Sequence, residues 1–131
     1  MPKIDGELSA RLEEAAKSAM RFAYAPYSHF TVGAALLSRS GRIYTGCNIE
    51  NASFGATNCA ERTAIFKAVS EGEREFDAIA IVSSSGEPTP PCGICRQVLS
   101  EFAPDIPILL VSGDGIVETS LPELFGMPFN L

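Results

Sequence analysis

The chain of 131 residues contains no tryptophan, one histidine and no long apolar run. Its most apolar stretches, AIAIV and IPILLV, fall far short of the roughly 20 residues that a membrane-spanning helix needs. The first stretch, MPKIDGELSARLEEAAK, is charged where a secretory signal would need an apolar segment. We therefore predict a cytoplasmic protein that has no membrane partner.

The sequence also contains fewer basic than acidic side chains. Lys and Arg number 10 against 16 Asp and Glu, which gives a formal net charge of −6. Proteins bind nucleic acids largely by neutralising phosphates with Lys and Arg, so this balance argues against a nucleic-acid partner. A small-molecule substrate is favoured.

Apolar periodicity predicts an α/β protein in which strands and helices are mixed along the chain. The predicted strands are 30–38, 42–49, 76–84, 106–112 and 115–120. The predicted helices are 7–22, 59–72 and 92–102, with a further short helix over 121–129. Because the sequence has neither an internal repeat nor a linker, we expect one domain, 1–131, with a three-layer α/β/α sandwich around a mixed five-stranded sheet.

Cysteine is scarce too, but three of the four cysteines fall at the start of predicted helices. Cys92 and Cys95 are three positions apart, and Cys59 begins the preceding helix. If both helix starts converge, three sulfurs meet where backbone N–H groups are unpaired and the helix dipole favours thiolates. Three thiolates would bind Zn²⁺ and leave its fourth position open for water, as catalytic zinc requires.

Two other interpretations of the cysteines are open. The C-x-x-C pair could be a redox motif, although such a pair normally follows the first strand of its unit and this one comes late. Cys47 could supply a fourth ligand, which would close the zinc site and indicate a zinc-stabilised binding module without turnover. Cys47 lies in a predicted strand, where a free cysteine is commonly a small buried apolar residue.

Charged residues next to the cysteines suit a catalytic metal. Glu61 follows Cys59 by two positions, so both reach one ion only if it sits off the end of the helix; there Glu61 could act as general base and then general acid. Three thiolates outweigh the charge of Zn²⁺, so nearby positive charge is needed. Arg62 and Arg96 are the candidates to hydrogen-bond to sulfur.

Five segments together resemble one family of enzymes. CAERTA, PPCGICRQVL, APYSHFTVGAALL, GCNIENASFG and FKAVSEG are similar in type and order to the zinc-dependent cytidine deaminases of the short, homotetrameric type. The resemblance implies the fold of that family and one Zn²⁺ per chain, held by Cys59, Cys92 and Cys95. It further implies that a metal-bound hydroxide attacks C4 of cytidine or 2′-deoxycytidine, with Glu61 shuttling protons, to give uridine or 2′-deoxyuridine and ammonia in pyrimidine salvage.

The same resemblance implies a set of substrate contacts. Asn48 and Glu50 would hold the ribose hydroxyls, the backbone near Ala60 would meet the base, and Phe30 would pack against the nucleoside. An amide and a carboxylate together can donate to and accept from a diol. A related deaminase of another aminopyrimidine, such as blasticidin S, is the alternative substrate interpretation.

In the homotetramer implied by the resemblance, neighbouring chains complete each active site. An aromatic residue near the C-terminus then stacks on the base of a neighbour's substrate. Phe129 is the candidate, and Phe125 is the alternative. His29 is expected to be a loop residue near the pocket mouth and not a metal ligand.

Overall fold

The computed structural model describes residues 4–131. Within that range the helices are α1 (Gly6–Met20), α2 (Ala60–Ser70), α3 (Gly93–Phe102) and α4 (Leu121–Leu124). The strands are β1 (Val32–Ser38), β2 (Ile43–Cys47), β3 (Phe76–Ser83), β4 (Pro107–Ser112) and β5 (Gly115–Ser120). A single 3₁₀ turn covers Phe54–Ala56 between β2 and α2.

The five strands form one mixed sheet in the order β2-β1-β3-β4-β5. β3 and β4 are parallel, and every other neighbouring pair is antiparallel. The predicted hairpin between the first two strands is confirmed, and Gly41 in its turn has φ +95°, a conformation that glycine adopts without strain. The predicted fold class is likewise confirmed.

The central strands are buried on both faces, which explains their continuous apolar runs. On one face Leu36 and Ile79 pack in a core with α2 and α3. On the other face Leu37 and Leu109 pack against α1, where Leu12 is fully buried. Adjacent residues of a strand point to opposite faces, so each run of sequence supplies both cores.

Two glycines let the helices approach the sheet closely. A Cβ built on Gly33 would lie 2.1 Å from the carbonyl oxygen of Ala16 in α1. A Cβ on Gly46 of β2 would lie 2.4 Å from the carbonyl oxygen of Ala60, at the start of α2. Gly46 therefore fixes how near the first turn of α2 comes to the sheet.

The element boundaries differ from the predictions in informative places. The last helix ends at Leu124 and does not continue to 129, because Gly126 and Pro128 disfavour helical backbone. The strand predicted from residue 30 begins at Val32. The helix predicted to reach 22 ends at Met20.

Helix α2 ends as the sequence predicted, at a left-handed glycine. Gly72 has φ +100° and donates its N–H to the carbonyl of Val69, while Glu73 donates to the carbonyl of Ala68. This pair of bonds is the Schellman motif that commonly closes a helix.

Candidate active site

Three cysteine sulfurs converge at the N-terminal ends of α2 and α3. Cys59 and Cys92 are the N-caps of these helices, one position before their first helical residues, and Cys95 lies in the first turn of α3. Their sulfur atoms all lie within 4.8 Å of one another, and those of Cys59 and Cys92 are 3.6 Å apart. Because the N-cap side chains project ahead of the helix, the cluster lies off the helix ends.

This geometry fits a tetrahedral zinc ion. Zn–S bonds of about 2.3 Å at tetrahedral angles place two sulfurs about 3.8 Å apart. The distance of 3.6 Å between Cys59 Sγ and Cys92 Sγ is close to that value. Cys47 is not in the cluster, and the structure shows no fourth protein ligand among residues 4–131. Three sulfurs leave one tetrahedral position for another ligand.

The surroundings favour ionised sulfur at Cys59. The hydrogen bond from Cys95, supported by the Arg62 guanidinium, lowers the pKa of the Cys59 thiol to about 5. The same contact with Cys59 raises the pKa of the Cys95 thiol. Arg62 donates to Cys59 Sγ at 3.2 Å, and its Nε is buried without a hydrogen-bond partner. Negative charge on Cys59 would stabilise the guanidinium of Arg62, which is partly removed from water.

The structure separates the two arginine candidates. Arg62 contacts the cluster, whereas Arg96 donates to the carbonyl oxygens of Pro91 at 2.7 Å and Leu124 at 2.6 Å. Arg96 therefore connects the loop before Cys92 to the end of α4, and both of its hydrogen bonds go to backbone carbonyls and not to sulfur.

Glu61 lies in the first turn of α2 and is only 5% exposed. Burial raises the pKa of Glu61 to about 7, and the charge of Cys59 adds to this shift. A carboxyl with a pKa near neutrality can both accept and donate a proton at physiological pH. Its position beside the sulfur cluster meets the geometric condition set by the sequence.

A cavity of about 240 Å³ opens beside the cluster. It brings together seven residues that the sequence had singled out: Phe30, Asn48, Glu50, Cys59, Ala60, Glu61 and Cys92. The cavity also contains Ser28 and Thr89, which the sequence reasoning missed as site residues. Ser28 had a signal, since it stands inside the APYSHF segment.

Asn48 and Glu50 are both engaged with the chain that precedes β1. Asn48 accepts from the Val32 N–H and donates to the Phe30 carbonyl, both at 2.8 Å. Glu50 accepts from the N–H groups of Tyr27 at 2.9 Å and Ser28 at 3.1 Å, and from the Ser28 hydroxyl. These bonds, led by the Ser28 hydroxyl, lower the pKa of Glu50.

The two aromatic candidates near the C-terminus occupy different environments. Phe125 is half-buried and packs against the core that α2 and α3 share. Phe129 is 68% exposed and does not line the cavity of its own chain. Gln97 of α3 binds the Phe129 backbone twice, accepting from its N–H and donating to its carbonyl, each at 2.9 Å. No sequence pattern pointed to Gln97.

His29, the single histidine, has φ +59° in the loop before β1 and is exposed. Histidine tolerates this left-handed conformation better than most residues. His29 is not part of the sulfur cluster.

Comparison with known proteins identifies the family. The model of the cytidine and deoxycytidylate deaminase zinc-binding region matches residues 7–110. The chain belongs to this family. A cytidine deaminase from Sporosarcina psychrophila is 52% identical over 116 residues, covering 87% of this chain and 85% of that protein. The crystal structure of cytidine deaminase from Burkholderia pseudomallei has a TM-score of 0.87 and 47% identity, covering 92% of this chain and 98% of that one.

Family membership decides between the interpretations of the cysteines. The protein is a zinc-dependent deaminase, so neither a redox pair nor a zinc-stabilised binding module accounts for the site. A blasticidin-S deaminase from Bacillus cereus is also similar, with 33% identity over 127 residues, 91% of this chain and 90% of that protein. Among residues 4–131, no helix has both the length and the apolar character required to cross a bilayer.

Proposed function

We propose that this deaminase hydrolyses cytidine and 2′-deoxycytidine to uridine and 2′-deoxyuridine, releasing ammonia. The observation that carries the proposal is the buried Glu61 carboxyl, which shares one cavity with the sulfur cluster and with Asn48 and Glu50. A proton-transfer group, a metal site and sugar-binding groups within one cavity suit a nucleoside. Cytidine deaminases such as that of Sporosarcina psychrophila support this choice of substrate.

The reaction replaces the C4–N4 bond of the pyrimidine by a C4–O bond. Cys59, Cys92 and Cys95 would hold the zinc ion, which would lower the pKa of a water molecule and so supply the nucleophile near pH 7. Glu61 accepts a proton from the attacking water and delivers protons to N3 and to the leaving amine. One proton of the water thus ends on N3 and the other in ammonia, and the Glu61 carboxylate is regenerated.

The remaining hydrogen-bonding capacity of Asn48 and Glu50 suits the sugar. Each amide and carboxylate oxygen has two lone pairs, and the Asn48 amide nitrogen has two hydrogens. After the bonds to the chain before β1, Asn48 retains one donor and one acceptor, and Glu50 retains an acceptor. The N–H of Ala60, in the first turn of α2, is available for the base. Phe30 offers an apolar surface for the nucleoside.

We also propose a homotetramer whose active sites are shared between chains. Phe129 and Met127 are 68% and 91% exposed and lie two positions apart, so together they offer an apolar surface to a partner chain. Gln97 holds the backbone of Phe129, leaving the ring to reach a neighbour.

We place the enzyme in the cytoplasm and in pyrimidine salvage, with residues 1–131 acting as one catalytic domain. The net charge of −6 favours a free nucleoside over a polynucleotide.

Replacement of the proton carrier tests the mechanism. Glu61→Gln should retain zinc and fold normally while kcat for cytidine falls by about 10²-fold or more, because general acid–base transfer contributes on that scale. Ultraviolet absorbance reports cytidine loss, and metal analysis reports zinc. A Glu61→Gln variant with unchanged kcat would contradict the proposed role of this residue.

A deaminase of another aminopyrimidine is the second candidate, favoured by the 33% identity to blasticidin-S deaminase. Ammonia release measured side by side on cytidine, 2′-deoxycytidine, cytosine, adenosine, blasticidin S and an oligonucleotide separates the two. The cytidines should have the highest kcat/KM. A higher value for blasticidin S would make the second candidate the correct one.

A further inference from the structure

One hydroxyl connects two of the residues that line the cavity. Ser28 Oγ donates to the Glu50 carboxylate and accepts from the Phe30 N–H at 3.0 Å. The backbone N–H of Ser28 also donates to Glu50, at 3.1 Å. Ser28 therefore contacts Glu50 through both its side chain and its backbone.

Asn48 holds the other side of the same peptide segment. Its amide nitrogen donates to the Phe30 carbonyl at 2.8 Å, so both the N–H and the C=O of Phe30 are bound by polar side chains. Hydrogen bonds thus connect Glu50 to Ser28, Ser28 to Phe30, and Phe30 to Asn48 along one side of the cavity. His29, between Ser28 and Phe30, has a left-handed φ of +59°.

A simple turn would not require all of these contacts. A serine hydroxyl commonly accepts from an N–H two residues later, as Ser28 does from Phe30, and that bond alone stabilises the turn. The bond to Glu50 joins positions 22 apart in the sequence and serves no local turn. Two N–H groups already hold Glu50 Oε1, and the hydroxyl adds a bond at Oε2 that limits rotation of the carboxylate.

We propose that Ser28 is a positioning residue for substrate binding, which orients the Glu50 carboxylate and the Phe30 backbone together. This inference rests on the proposed function, because it takes Glu50 and Phe30 as nucleoside contacts. Two N–H groups occupy Glu50 Oε1, and the hydroxyl occupies one lone pair of Oε2. The carboxylate is thereby held in one orientation with an acceptor left for a sugar hydroxyl.

Steady-state kinetics on the zinc-loaded enzyme tests the proposal. Ser28→Ala should raise KM for cytidine about tenfold or more, the scale of one hydrogen bond to a charged group, with kcat within about twofold of wild type. Ser28→Thr keeps the hydroxyl and should restore most of the affinity. Ser84→Ala is the matched control, because Ser84 Oγ accepts from the Thr31 N–H at 3.1 Å in the same loop region without contacting Glu50. It should leave KM unchanged.

A double-mutant cycle then separates positioning from general stability. In a Glu50→Ala background, where the Ser28 hydroxyl has no partner at position 50, Ser28→Ala should raise KM by less than about twofold, since its effect passes largely through the Glu50 carboxylate. Wild-type KM in Ser28→Ala, or the same fold increase in both backgrounds, would overturn the proposal. If Ser28→Ala leaves KM unchanged while Glu50→Ala raises it, the sugar contact of Glu50 is supported and only the positioning role of Ser28 is wrong. If wild-type enzyme does not turn over cytidine, the proposed function itself is wrong.

Discussion

Arg62 places a positive charge 3.2 Å from the sulfur of Cys59. Removing it leaves three thiolates beside one divalent ion with less compensation. We predict that Arg62→Ala lowers zinc affinity about 10- to 100-fold, the range typical for residues that bind a metal ligand directly. Competition against a chromogenic chelator measures the affinity.

Two further variants make the Arg62 result specific. Arg62→Lys keeps the charge but not the guanidinium and should fall between Arg62→Ala and wild type. Arg42→Ala removes an exposed arginine that stacks on Tyr44 and should bind zinc as wild type does. Equal zinc affinity in Arg62→Ala and Arg42→Ala would show that Arg62 does not support the metal site.

Glu61 gives a prediction for the stability of the metal-free protein. Its folded-state pKa of about 7 lies above the ordinary 4.5, so folding favours the protonated form and wild-type stability falls as pH rises from about 4.5 to 7. The glutamine of Glu61→Gln cannot ionise, so the variant does not lose this stability as pH rises. Relative to wild type, it should gain on the order of 3 kcal/mol between pH 4 and pH 8.

Urea unfolding of chelator-treated protein at pH 4 and pH 8 measures this gain. Zinc should reduce the stability gain of Glu61→Gln, because a nearby cation favours the ionised carboxylate of the wild type. The same stability difference between Glu61→Gln and wild type at both pH values would mean that the Glu61 carboxyl titrates normally in the folded protein.

Some site residues were predictable from the sequence, and others were not. Cys59, Glu61 and Cys92 could be singled out because metal and proton-transfer chemistry restricts residue type and spacing. Ser28 and Gln97 could not be assigned their contacts, since a hydroxyl or amide that binds distant backbone leaves no periodic signal. Only the folded chain brings Ser28 to Glu50 or Gln97 to Phe129.

At the scale of elements, Gly46 determines how β2 and α2 fit together. A Cβ there would meet the Ala60 carbonyl at 2.4 Å and the Ala64 nitrogen at 2.6 Å, both backbone atoms. Neither can move without shifting α2, which carries Cys59 and Glu61. We predict that Gly46→Ala lowers the free energy of unfolding by about 1–3 kcal/mol or more and also weakens zinc binding.

Thermal unfolding and zinc competition should be measured on the same samples of Gly46→Ala. Gly6→Ala is the control, because a Cβ at Gly6 meets nothing within 4 Å. Loss of stability with unchanged zinc affinity would indicate that α2 accommodates the methyl group without moving the site.

Element boundaries were predictable where a specific residue ends the element. Gly72 terminates the α2 region through its left-handed φ, as the sequence indicated. The strand start at Val32 was not predictable, because side chains of Ser28 and Asn48 bind the Phe30 backbone in place of a neighbouring strand. Apolar periodicity does not report such side-chain contacts.

At the scale of the whole molecule, continuous apolar runs predict strands buried on both faces and therefore three layers, whatever the strand order. The order β2-β1-β3-β4-β5 was not predictable from the apolar pattern, because that pattern records burial and not which strands are neighbours. The order matters for function, because it places β1 between β2 and β3, so that the segments after β2 and β3 can both contribute to a cavity beside β1. The cavity residues Val32, Asn48 and Thr89 come from β1 and from the segments after β2 and β3.

Shared active sites make a prediction for mixed assemblies. If Phe129 acts in a neighbour's cavity, Phe129→Ala and Glu61→Gln impair different chains of the same site. Hybrids formed by refolding the two weak variants together should regain activity, because some sites combine an intact Glu61 from one chain with an intact Phe129 from another. Hybrids of Glu61→Gln with Glu50→Gln should not, because both residues line the cavity of one chain. Activity per active site should be measured for both mixtures, with sedimentation to establish that the hybrids are tetramers. Equal recovery of activity in both mixtures, or no recovery in the first, would show that Phe129 does not act in a neighbouring active site.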